Sequence, residues 1–576
     1  MRKRWVFRDQ HQDQAIKLAA ALGTLPLLAQ LLINRGIDGP EAASLFLQTP
    51  LDALHNPFEM LDMERAARRI VRAINDREKI WIYGDYDVDG MTSTSLFLTF
   101  FRELGIEVSS YIPDRIEEGY GLNHQAIATI GQKRGMLIIT ADCGTNSQEE
   151  IETAKRLGMT LIVTDHHEPQ SLSFNAYATL NPHREGCSYP FKGLTGVGVA
   201  FKLLTALRYE LRKEKAWEGR LPNLRKHLDL VALGTIADVA PLRGENRILV
   251  KHGLDVLTKT TKVGLAALKQ ISKIDQRAVS SWDVAFGLAP RLNAGGRLGS
   301  ADNGVELLTT DLQKRAETLA AHLNEENRKR QILQQTILDE AKRMIEEEID
   351  KVQARTIVLA SPEWHQGVVG IVASKLVEEY FRPTILIALK DGYGKGSGRS
   401  IPSFHLFEKL QECQELLEQF GGHKLAAGLK IRPEMVEAFR ERFEEIGQKT
   451  LKKDGLTPEI QIDAVVSLPE IDLKTIEAMN QLAPFGSDNP QPLLAALGVQ
   501  VISGPTWVGG KKNHLKLRVR QGTFEIEAVG FNMESASLDV PLTPGSHVDL
   551  VFTPRVNSWG GSRKVELTLK DIRLAS

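Results

Sequence analysis

Three aspartates stand at alternate positions in the sequence GDYDVDGMTS, residues 84 to 93: Asp85, Asp87 and Asp89. A glycine follows the third aspartate, as it does at the start of an EF-hand calcium loop. An EF-hand also needs a glutamate at its twelfth position to bind calcium with both oxygens. Leu96 stands at that position here. The aspartates are therefore candidates for a different kind of metal site, one that does chemistry.

The residues on either side place these aspartates on a turn between a strand and a helix. The preceding segment KIWIYGD is aromatic and β-branched, which predicts a short buried strand. The following segment MTSTSLFLTFFRELG predicts a helix that ends at Gly105. A single aspartate in such a place is more often the N-cap of a helix than a metal ligand. Other residues must therefore support a metal site.

Further acidic residues and two histidines follow later strands of the same pattern. MLIITAD ends at Asp142, and LIVTD ends at Asp165, with His166 and His167 directly after it. The alternation of strands and helices predicts a parallel, doubly wound sheet, whose sites form outside the carboxyl ends of the strands. Asp238, after the apolar run LVALGTIA, is a further candidate.

Such a cleft would need cations, because several carboxylates cannot stay ionised side by side without them. Aspartate and histidine suit Mn²⁺ or Mg²⁺, and a pair of metals about 3.5–4 Å apart suits in-line attack of water on phosphorus. Alternatively, His167 could be a solvated turn residue, and Asp165 could orient the backbone. The joint occurrence of these residues at successive strand ends favours the metal site.

The composition is that of an ordinary globular chain. The 576 residues are 42% hydrophobic and 25% charged, and the formal net charge is −1, so nucleic-acid binding would have to come from local patches. The three cysteines are far apart, which argues against disulfides and a cysteine-based zinc site. We find no signal peptide and no apolar run that could span a bilayer. We therefore expect a cytoplasmic protein with no membrane partner.

The element pattern predicts an α/β protein with five regions. These are a helical N-terminal region, a catalytic domain with the parallel doubly wound sheet, one long charged helix, a smaller α/β domain and a C-terminal β-barrel. Their expected bounds are 1–75, 76–310, 311–352, 353–452 and 458–576.

A glycine-rich segment and several basic residues could hold a nucleic acid strand. The segment GGHKLAAG offers the backbone amides of Gly421 and Gly422 to a phosphate, together with the side chains of His423 and Lys424. A plain tight turn would explain the same segment.

Two arginines, Arg297 in NAGGR and Arg399 in GSGRS, lie in segments that predict glycine-flanked turns. Such arginines suit bidentate contacts to phosphate, although each could instead pair with a surface acid. Trp364 and His365 could stack on or bond to a nucleotide, or could simply be half-buried parts of the fold.

The segment KKNHLKLRVR predicts a strand with one basic face. Lys516, Arg518 and Arg520 alternate with apolar residues, so a strand would place the cations together. This pattern fits an OB-fold that binds a single strand, with Trp507 and Trp559 available for stacking. A solvated basic strand without a ligand is the alternative.

Several of these motifs together resemble a known family. GDYDVDG, TADCG, TDHHEP and GTIADV resemble, in order, the four motifs of the DHH phosphoesterase superfamily, and GGHKLAAG resembles the signature of the associated DHHA1 domain. NAGGRLG, EWHQGVVGIVASKL and GKGSGRS are similar to segments of the RecJ family. The resemblance covers residues from about 50 to 576 and departs from the family pattern at Gly295, where alanine is common.

The resemblance implies a 5′-to-3′ exonuclease that degrades single-stranded DNA to mononucleotides in DNA repair and recombination. It also implies two metal ions and a preference for Mn²⁺, whereas carboxylate chemistry alone allows Mg²⁺. The implied metal ligands are Asp85, Asp87, Asp89, Asp142, His166 and Asp238. Asp142 would bridge the ions, His167 would contact the scissile phosphate, and Ser397 and Arg399 would receive the 5′-terminal phosphate.

Two other functions stay open from the sequence. A phosphoesterase of oligoribonucleotides or cyclic dinucleotides, or a pyrophosphatase, could use the same site, although the C-terminal β-domain favours a long polymer. An inactive single-strand-binding scaffold would be expected to lack ligands, and all candidate positions are filled. The expected partner is single-stranded DNA, which a single-strand-binding protein or a helicase could deliver, and we expect a monomer.

Overall fold

The computed structural model describes residues 3–115, 117–171, 174–213, 217, 219–348, 354–510, 513–533, 542–557 and 563–575. The chain folds into two compact units. The first unit comprises Gln48–Arg330 and Pro484–Pro490, and the second comprises Met1–Leu47, Gln331–Ala483 and Gln491–Ser576.

The described residues form strands and helices with the following bounds. The strands are β1 (Arg4–Phe7), β2 (Ile80–Gly84), β3 (Ser109–Tyr111), β4 (Leu137–Ala141), β5 (Thr160–Thr164), β6 (Ala178–Leu180), β7 (Ile357–Ser361), β8 (Thr384–Lys390), β9 (Tyr393–Arg399), β10 (Gln419–Gly422), β11 (Ala426–Ile431), β12 (Glu459–Ile462), β13 (Ala464–Val465), β14 (Leu494–Val508), β15 (His514–Gln521), β16 (Phe524–Gly530), β17 (His547–Asn557) and β18 (Lys564–Leu574). The helices are α1 (Gln12–Leu22), α2 (Pro26–Ile33), α3 (Pro40–Gln48), α4 (Met63–Asn75), α5 (Val88–Glu103), α6 (His124–Gln132), α7 (Gln148–Arg156), α8 (Gly196–Lys213), α9 (Leu228–Ala237), α10 (Gly244–Thr258), α11 (Val263–Ile271), α12 (Ser281–Asp283), α13 (Ala289–Leu298), α14 (Asp302–Thr309), α15 (Gln313–Glu348), α16 (Val369–Tyr380), α17 (Leu406–Gln411), α18 (Val436–Thr450) and α19 (Leu473–Asn480).

The first unit is built on a five-stranded parallel sheet with the strand order β3–β2–β4–β5–β6. Numbered within the sheet, the order is 2-1-3-4-5, and the direction of winding changes between β2 and β4. Every residue of β2 and β4 is buried, which is why both strands read as continuous apolar runs. The predicted parallel, doubly wound sheet is confirmed.

The core of this unit fixes the helix that follows the three aspartates. Helix α5 packs against β2, α8 and α9, and Phe97, Phe100 and Phe101 on it are fully buried. Burial of one such side chain contributes about 1.5–3 kcal/mol. The start of α5, where Asp87 and Asp89 lie, is therefore held by the packing of the whole helix.

A buried ion pair connects α8 to α10 in the first unit. Lys202 and Glu245 are 2% and 1% exposed, and their charged atoms lie 2.6 Å apart. The carboxylate also accepts hydrogen bonds from the backbone N–H of His55 and the hydroxyl of Tyr189, at 2.9 and 2.6 Å. The ammonium group donates to the carbonyl oxygen of His55 at 2.9 Å. The network leaves neither charge without a partner.

The second unit contains a mixed sheet and a closed barrel. The mixed sheet has the order β10–β11–β9–β8–β7, in which only β7 and β8 run parallel. In the barrel, β14, β15, β16, β18 and β17 pair in turn, and the pairing of β17 with β14 closes the ring. These elements confirm the smaller α/β domain and the C-terminal β-barrel.

The N-terminal region differs from its prediction at one point. We expected helices, and α1 to α4 are present, but the strand β1 precedes them and pairs in parallel with β12. The partner strand lies about 450 residues away in the sequence. A short strand stabilised by so distant a segment leaves no local periodicity to detect.

The long charged helix is present as α15, a single helix of 36 residues, Gln313–Glu348. Its residues up to Arg330 belong to the first unit and those from Gln331 to the second. The predicted end at residue 352 lies outside the described residues. Within the described part of the chain, no single helix is long and apolar enough to cross a membrane; α1 and α2 reach that length only together, across a bend of 113°.

We predict that Lys202→Met destabilises the protein by about 3–5 kcal/mol, because the carboxylate of Glu245 would then be buried without a counter-ion. Urea denaturation of the full chain measures the change. The double variant Lys202→Met/Glu245→Gln, which removes both charges, should recover part of the loss. A single variant as stable as the parent chain would contradict the prediction.

Candidate metal centre

Asp85 and Asp87 lie on the turn between β2 and α5, as the sequence predicts, and Asp89 lies in the first turn of α5. Asp85 follows the last residue of β2 and is 2% exposed. Asp87 is the N-cap of α5, where its Oδ1 accepts hydrogen bonds from the backbone N–H groups of Asp89 and Gly90 at 2.9 and 3.0 Å. The N-cap alternative therefore holds for Asp87, which leaves its second carboxylate oxygen for other contacts.

The first turn of α8 holds the carboxylate of Asp89. The backbone N–H groups of Gly196 and Val197 donate to its two oxygens at 2.7 and 3.0 Å. The N-terminus of a helix attracts an anion in this way through free N–H groups and the helix dipole. We did not predict these two residues, although the glycine-rich start of α8, GVGV, was a detectable sign.

Asp142 follows β4 in a strained backbone conformation. Its φ angle is 69°, in the left-handed region that side chains other than glycine seldom adopt. Its N–H donates to the carbonyl oxygen of Thr164 at 3.0 Å, which ties the residue to the end of β5. Strain of this kind persists only where the surroundings impose it, and it clusters at functional sites.

Asp165 orients the two histidines that follow it. Its Oδ1 accepts the N–H of His166 at 2.7 Å and lies 2.7 Å from Nδ1 of His167. Its Oδ2 accepts the N–H of Thr145 at 2.8 Å. Both carboxylate oxygens are thus engaged, which agrees with the orienting alternative for this residue.

Asp238 reaches the same place from a helix. The apolar run before it forms α9, whose residues Leu228 to Ile236 are all buried, and Asp238 is the C-cap. The prediction that Asp238 follows a strand is therefore wrong. An apolar run without alternation fits a buried strand and a buried helix equally well.

The seven predicted side chains of the centre lie together. They form three groups, and in each group the ligand atoms lie within 4.8 Å of one another. The first group is Asp85, Asp87 and Asp142, the second is Asp89, His166 and Asp238, and the third is Asp142, His166 and His167. The Nε2 atom of His166 is 3.1 Å from Asp142, 3.8 Å from Asp89 and 3.9 Å from Asp238. Asp142 and His166 each belong to two of the three groups.

The carboxylates repel one another in this arrangement. Burial, together with the charge of Asp238, raises the pKa of Asp89 to about 7. Burial and the charge of Asp87 raise the pKa of Asp238 to about 7 as well. The pKa values of Asp85 and Asp142 are raised well above the usual range by burial and by neighbouring aspartates. Divalent cations would relieve this repulsion.

Two observations show that the residues fit a metal. The buried Oδ1 atom of Asp85 has no hydrogen-bond partner among the described residues, and that of Asp142 has only the imidazole of His166, 3.1 Å away; such atoms are costly unless something binds them. Burial also lowers the pKa of His166, although the charge of Asp89 opposes the shift. A neutral imidazole is the form of histidine that binds a metal.

His167 is a cation at the edge of the centre. Burial opposes its charge, but the hydrogen bond and charge of Asp165 raise its pKa to about 9. The hydroxyl of Tyr120 lies 2.9 Å from its Nδ1, and the Tyr120 ring is 51% exposed. We did not predict Tyr120; its only sign was an aromatic residue between two glycines, Gly119 and Gly121, whose φ angles are 84° and 87°.

The two predicted arginines lie in regular structure rather than in turns. Arg297 is in α13, and Arg399 is the last residue of β9. Arg399 donates to Oγ of Ser397 at 3.2 Å, so these two residues of the second unit are adjacent. Gly370, at the start of α16, packs against both side chains.

Trp364 is a core residue rather than a nucleotide contact. Its side chain is 4% exposed, and its indole N–H donates to Glu340 at 2.9 Å. His365 is half-buried, and its Nδ1 accepts the N–H of Gly367 at 3.1 Å. Aromatic and aliphatic partners from α15 and α16 enclose the indole, and no local pattern in the sequence indicates this packing.

The segment GGHKLAAG forms a β-hairpin. Gly421 and Gly422 end β10, and the N–H of His423 donates to the carbonyl oxygen of Ala426 at 2.8 Å, which closes the turn. The side chains of His423 and Lys424 are exposed. The tight-turn alternative thus explains the glycines, and contact with a phosphate stays a prediction.

The basic strand has the predicted alternation. Leu515, Leu517 and Val519 of β15 are buried, while the cations between them are exposed; these are Lys516, Arg518 and Arg520. Lys516 and Arg518 lie 3.1 and 3.4 Å from Glu527 on β16. Part of the positive charge is therefore compensated within the barrel. Trp559 lies outside the described residues.

Comparison with known proteins assigns most of the chain. Residues 79–235 match the DHH family N-terminal domain, residues 351–449 the DHHA1 domain, and residues 462–571 the RecJ OB domain. The single-stranded-DNA-specific exonuclease RecJ of Bacillus subtilis is 42% identical over 570 residues, which cover 99% of this chain and 70% of the relative. The Escherichia coli protein of the same name is 34% identical over 587 residues, 99% of this chain and 100% of the relative. The chain belongs to the RecJ family.

Solved structures of RecJ proteins agree with this assignment. The Mn²⁺ complex of RecJ from Thermus thermophilus superposes with a TM-score of 0.84 at 30% identity, over 100% of this chain and 80% of the other. A second manganese-bound RecJ gives a TM-score of 0.59 at 36% identity, over 69% of this chain and 96% of the other. The resemblance that the motifs predicted is confirmed.

We predict that Gly196→Ala weakens Mn²⁺ binding by roughly 10–100-fold, the usual cost of disturbing groups that position metal ligands. The added methyl group would overlap Oδ1 of Asp142 and displace it. Titration calorimetry of the full chain measures the affinity. Gly198→Ala is the matched control, since its methyl group would meet the side chain of Leu194 at 3.1 Å and the hydroxyl of Thr195 at 3.6 Å, but none of the acidic side chains. Equal affinity in both variants would argue against the crowding.

Proposed function

We propose that the chain is a metal-dependent exonuclease that hydrolyses single-stranded DNA from the 5′ end to mononucleotides. The observation that carries the proposal is the gathering of five aspartates and two histidines at the carboxyl edge of the sheet. Its relatives in Bacillus subtilis and Escherichia coli are named single-stranded-DNA-specific exonucleases. Filled ligand positions argue against an inactive scaffold.

The buried carboxylates and His166 would hold two divalent cations, Mn²⁺ or Mg²⁺. Asp85 and Asp87 form one group with Asp142, and Asp89 and Asp238 form another with His166, which is 3.1 Å from Asp142. Asp142 is near both sets, which suits a ligand shared between two ions. When bound, such ions lower the pKa of a water molecule and neutralise charge on the phosphate.

His167 would contact the scissile phosphate. It is 39% exposed, and its raised pKa keeps it positively charged at neutral pH. Asp165 holds the ring through Nδ1, which fixes the direction of the charge. A fixed cation stabilises the negative charge that develops on phosphate oxygens, and it does so without reorganising during the reaction.

The second unit would hold the strand. Ser397 and Arg399 are adjacent on β9 and suit a terminal phosphate. The basic face of β15 suits the phosphate backbone of the strand, as in other OB-folds. We further propose that the five predicted regions correspond to separate roles, that the activity serves repair and recombination, and that a single-strand-binding protein or a helicase delivers the strand.

We predict that Asp238→Ala lowers the rate of DNA hydrolysis by at least about 100-fold, because loss of a ligand costs no less than loss of a group that positions one. Its carboxylate makes no hydrogen bond within the described residues, so the fold and single-strand binding should survive. Asp76→Ala, at the exposed C-cap of α4, is the matched control. Full activity of Asp238→Ala would remove this residue from the centre.

The direction of cleavage needs a strand labelled at one end. With Mn²⁺ and a 5′-labelled single strand, the label should appear first as a mononucleotide, whereas a 3′ label should stay on long fragments. EDTA should stop both reactions, and duplex DNA should resist. Early release of the 3′ label would reject the proposed direction, and cleavage of oligoribonucleotides alone would favour the alternative phosphoesterase.

A further inference from the structure

Two aromatic side chains stand together on the surface of the first unit. Trp282 is 65% exposed and Phe286 is 66% exposed, and their ring centroids lie 5.3 Å apart with a tilt of 35°. Most large apolar residues of this unit are buried in one core. Single exposed apolar residues are common, but a contiguous exposed patch usually marks a binding site. We call these two residues the aromatic pair.

The backbone beneath the aromatic pair is fixed. The pair lies on the helical run Ser281–Leu298, which contains a π-helical turn at Val284–Leu288. Val284 and Leu288 point into the core and are fully buried. Asp283, 1% exposed, accepts hydrogen bonds from the Arg277 side chain and from the backbone N–H of Ser280. Because the inward residues anchor the turn, the two rings are presented outward without a backbone ordering cost on binding.

The same helical run touches the metal centre at its other end. The side chain of Asn293 accepts the N–H of Val88 at 3.2 Å, next to Asp87. Gly296 lies so close to Tyr86 that a Cβ would stand 2.6 Å from its carbonyl oxygen. At 1.5 Å per residue, Phe286 is about 10 Å along the helix from Asn293, or about three base spacings of 3.4 Å.

A second element joins the aromatic pair to the centre. Helix α9, which carries Asp238 at its C-terminal end, packs against the π-helical turn. Val239, directly after Asp238, is 70% exposed. The aromatic pair and the acidic centre are thus connected within one unit by two packed helices.

The size of the patch indicates its occupant. About two thirds of each aromatic residue is exposed, so the pair offers roughly 300 Å² of accessible surface. A stable protein interface buries about 800 Å² of surface on each partner. A nucleotide base needs only one ring face, and each stacked base strengthens binding about 5- to 150-fold. The patch therefore fits bases better than a protein.

We propose that Trp282 and Phe286 form a stacking platform for the bases of single-stranded DNA close to the metal centre. The proposal rests on the proposed exonuclease function and adds the part of the substrate that the first unit binds. The platform would hold bases while the centre acts on the phosphate, and its stacking would favour unpaired bases, whose faces are accessible.

The test compares two strands bound to the full chain in EDTA, so that nothing is cleaved. One is a short 5′-phosphorylated oligothymidylate, and the other is an abasic strand of the same length. The variant Trp282→Ala/Phe286→Ala should bind the oligothymidylate about 10–100-fold more weakly but bind the abasic strand like the parent chain. Trp282→Phe should keep most of the affinity. Tyr209→Ala, an exposed aromatic of the same unit at 55%, is the matched control and should change nothing.

Unchanged affinity for the oligothymidylate would overturn the platform and leave the patch to a protein partner. An equal loss on both strands would also overturn it, since that result means a structural effect.

In a separate cleavage experiment, the parent chain is given Mn²⁺ and a labelled single strand. Failure to degrade that strand would reject the proposed function, whereas degradation together with unchanged variant affinity would reject only the platform. In the same assay the double variant should show a raised KM and an unchanged affinity for Mn²⁺.

Discussion

The mutual repulsion of buried carboxylates is the constraint on which the centre depends. Five aspartates meet where β2 and β4 end, and burial raises the pKa values of four of them. Such a cluster is unfavourable by itself, because each ion loses its water and gains like-charged neighbours. The fold therefore has to hold these side chains in place by other means, and the backbone N–H groups that donate to Asp87 and Asp89 do so.

Those contacts show that a structural and a chemical role can belong to one residue. Asp87 caps α5 with one oxygen, and Asp89 accepts two N–H groups from the start of α8. Helix N-termini stabilise the ionised form of a carboxylate, so the same hydrogen bonds that fix these ligands also offset part of their repulsion. The N-cap interpretation and the metal-ligand interpretation of a strand-end aspartate are thus compatible here.

The sequence predicts structure that depends on local or repeated patterns. It does not predict structure that depends on contacts between segments far apart in the chain. Strand-end placement of Asp85, Asp142 and His166 followed from short apolar runs and the rule for parallel sheets. The helical origin of Asp238 did not, because α9 is buried on all sides and shows no periodicity. The burial of Trp364 depends on contacts with α15 and α16, which no local pattern records.

The residues that sequence reasoning missed are those that act through the backbone or through an exposed ring. Gly196 matters because its missing side chain leaves room for Asp142, and Gly296 because Tyr86 comes within contact of its backbone. Because of this close approach, a shift of the helical run Ser281–Leu298 would also move Tyr86, which stands between Asp85 and Asp87 in the sequence. The helical run that carries Trp282 and Phe286 therefore also constrains the turn that carries Asp85 and Asp87, because Asn293 and Gly296 of the same run contact Val88 and Tyr86.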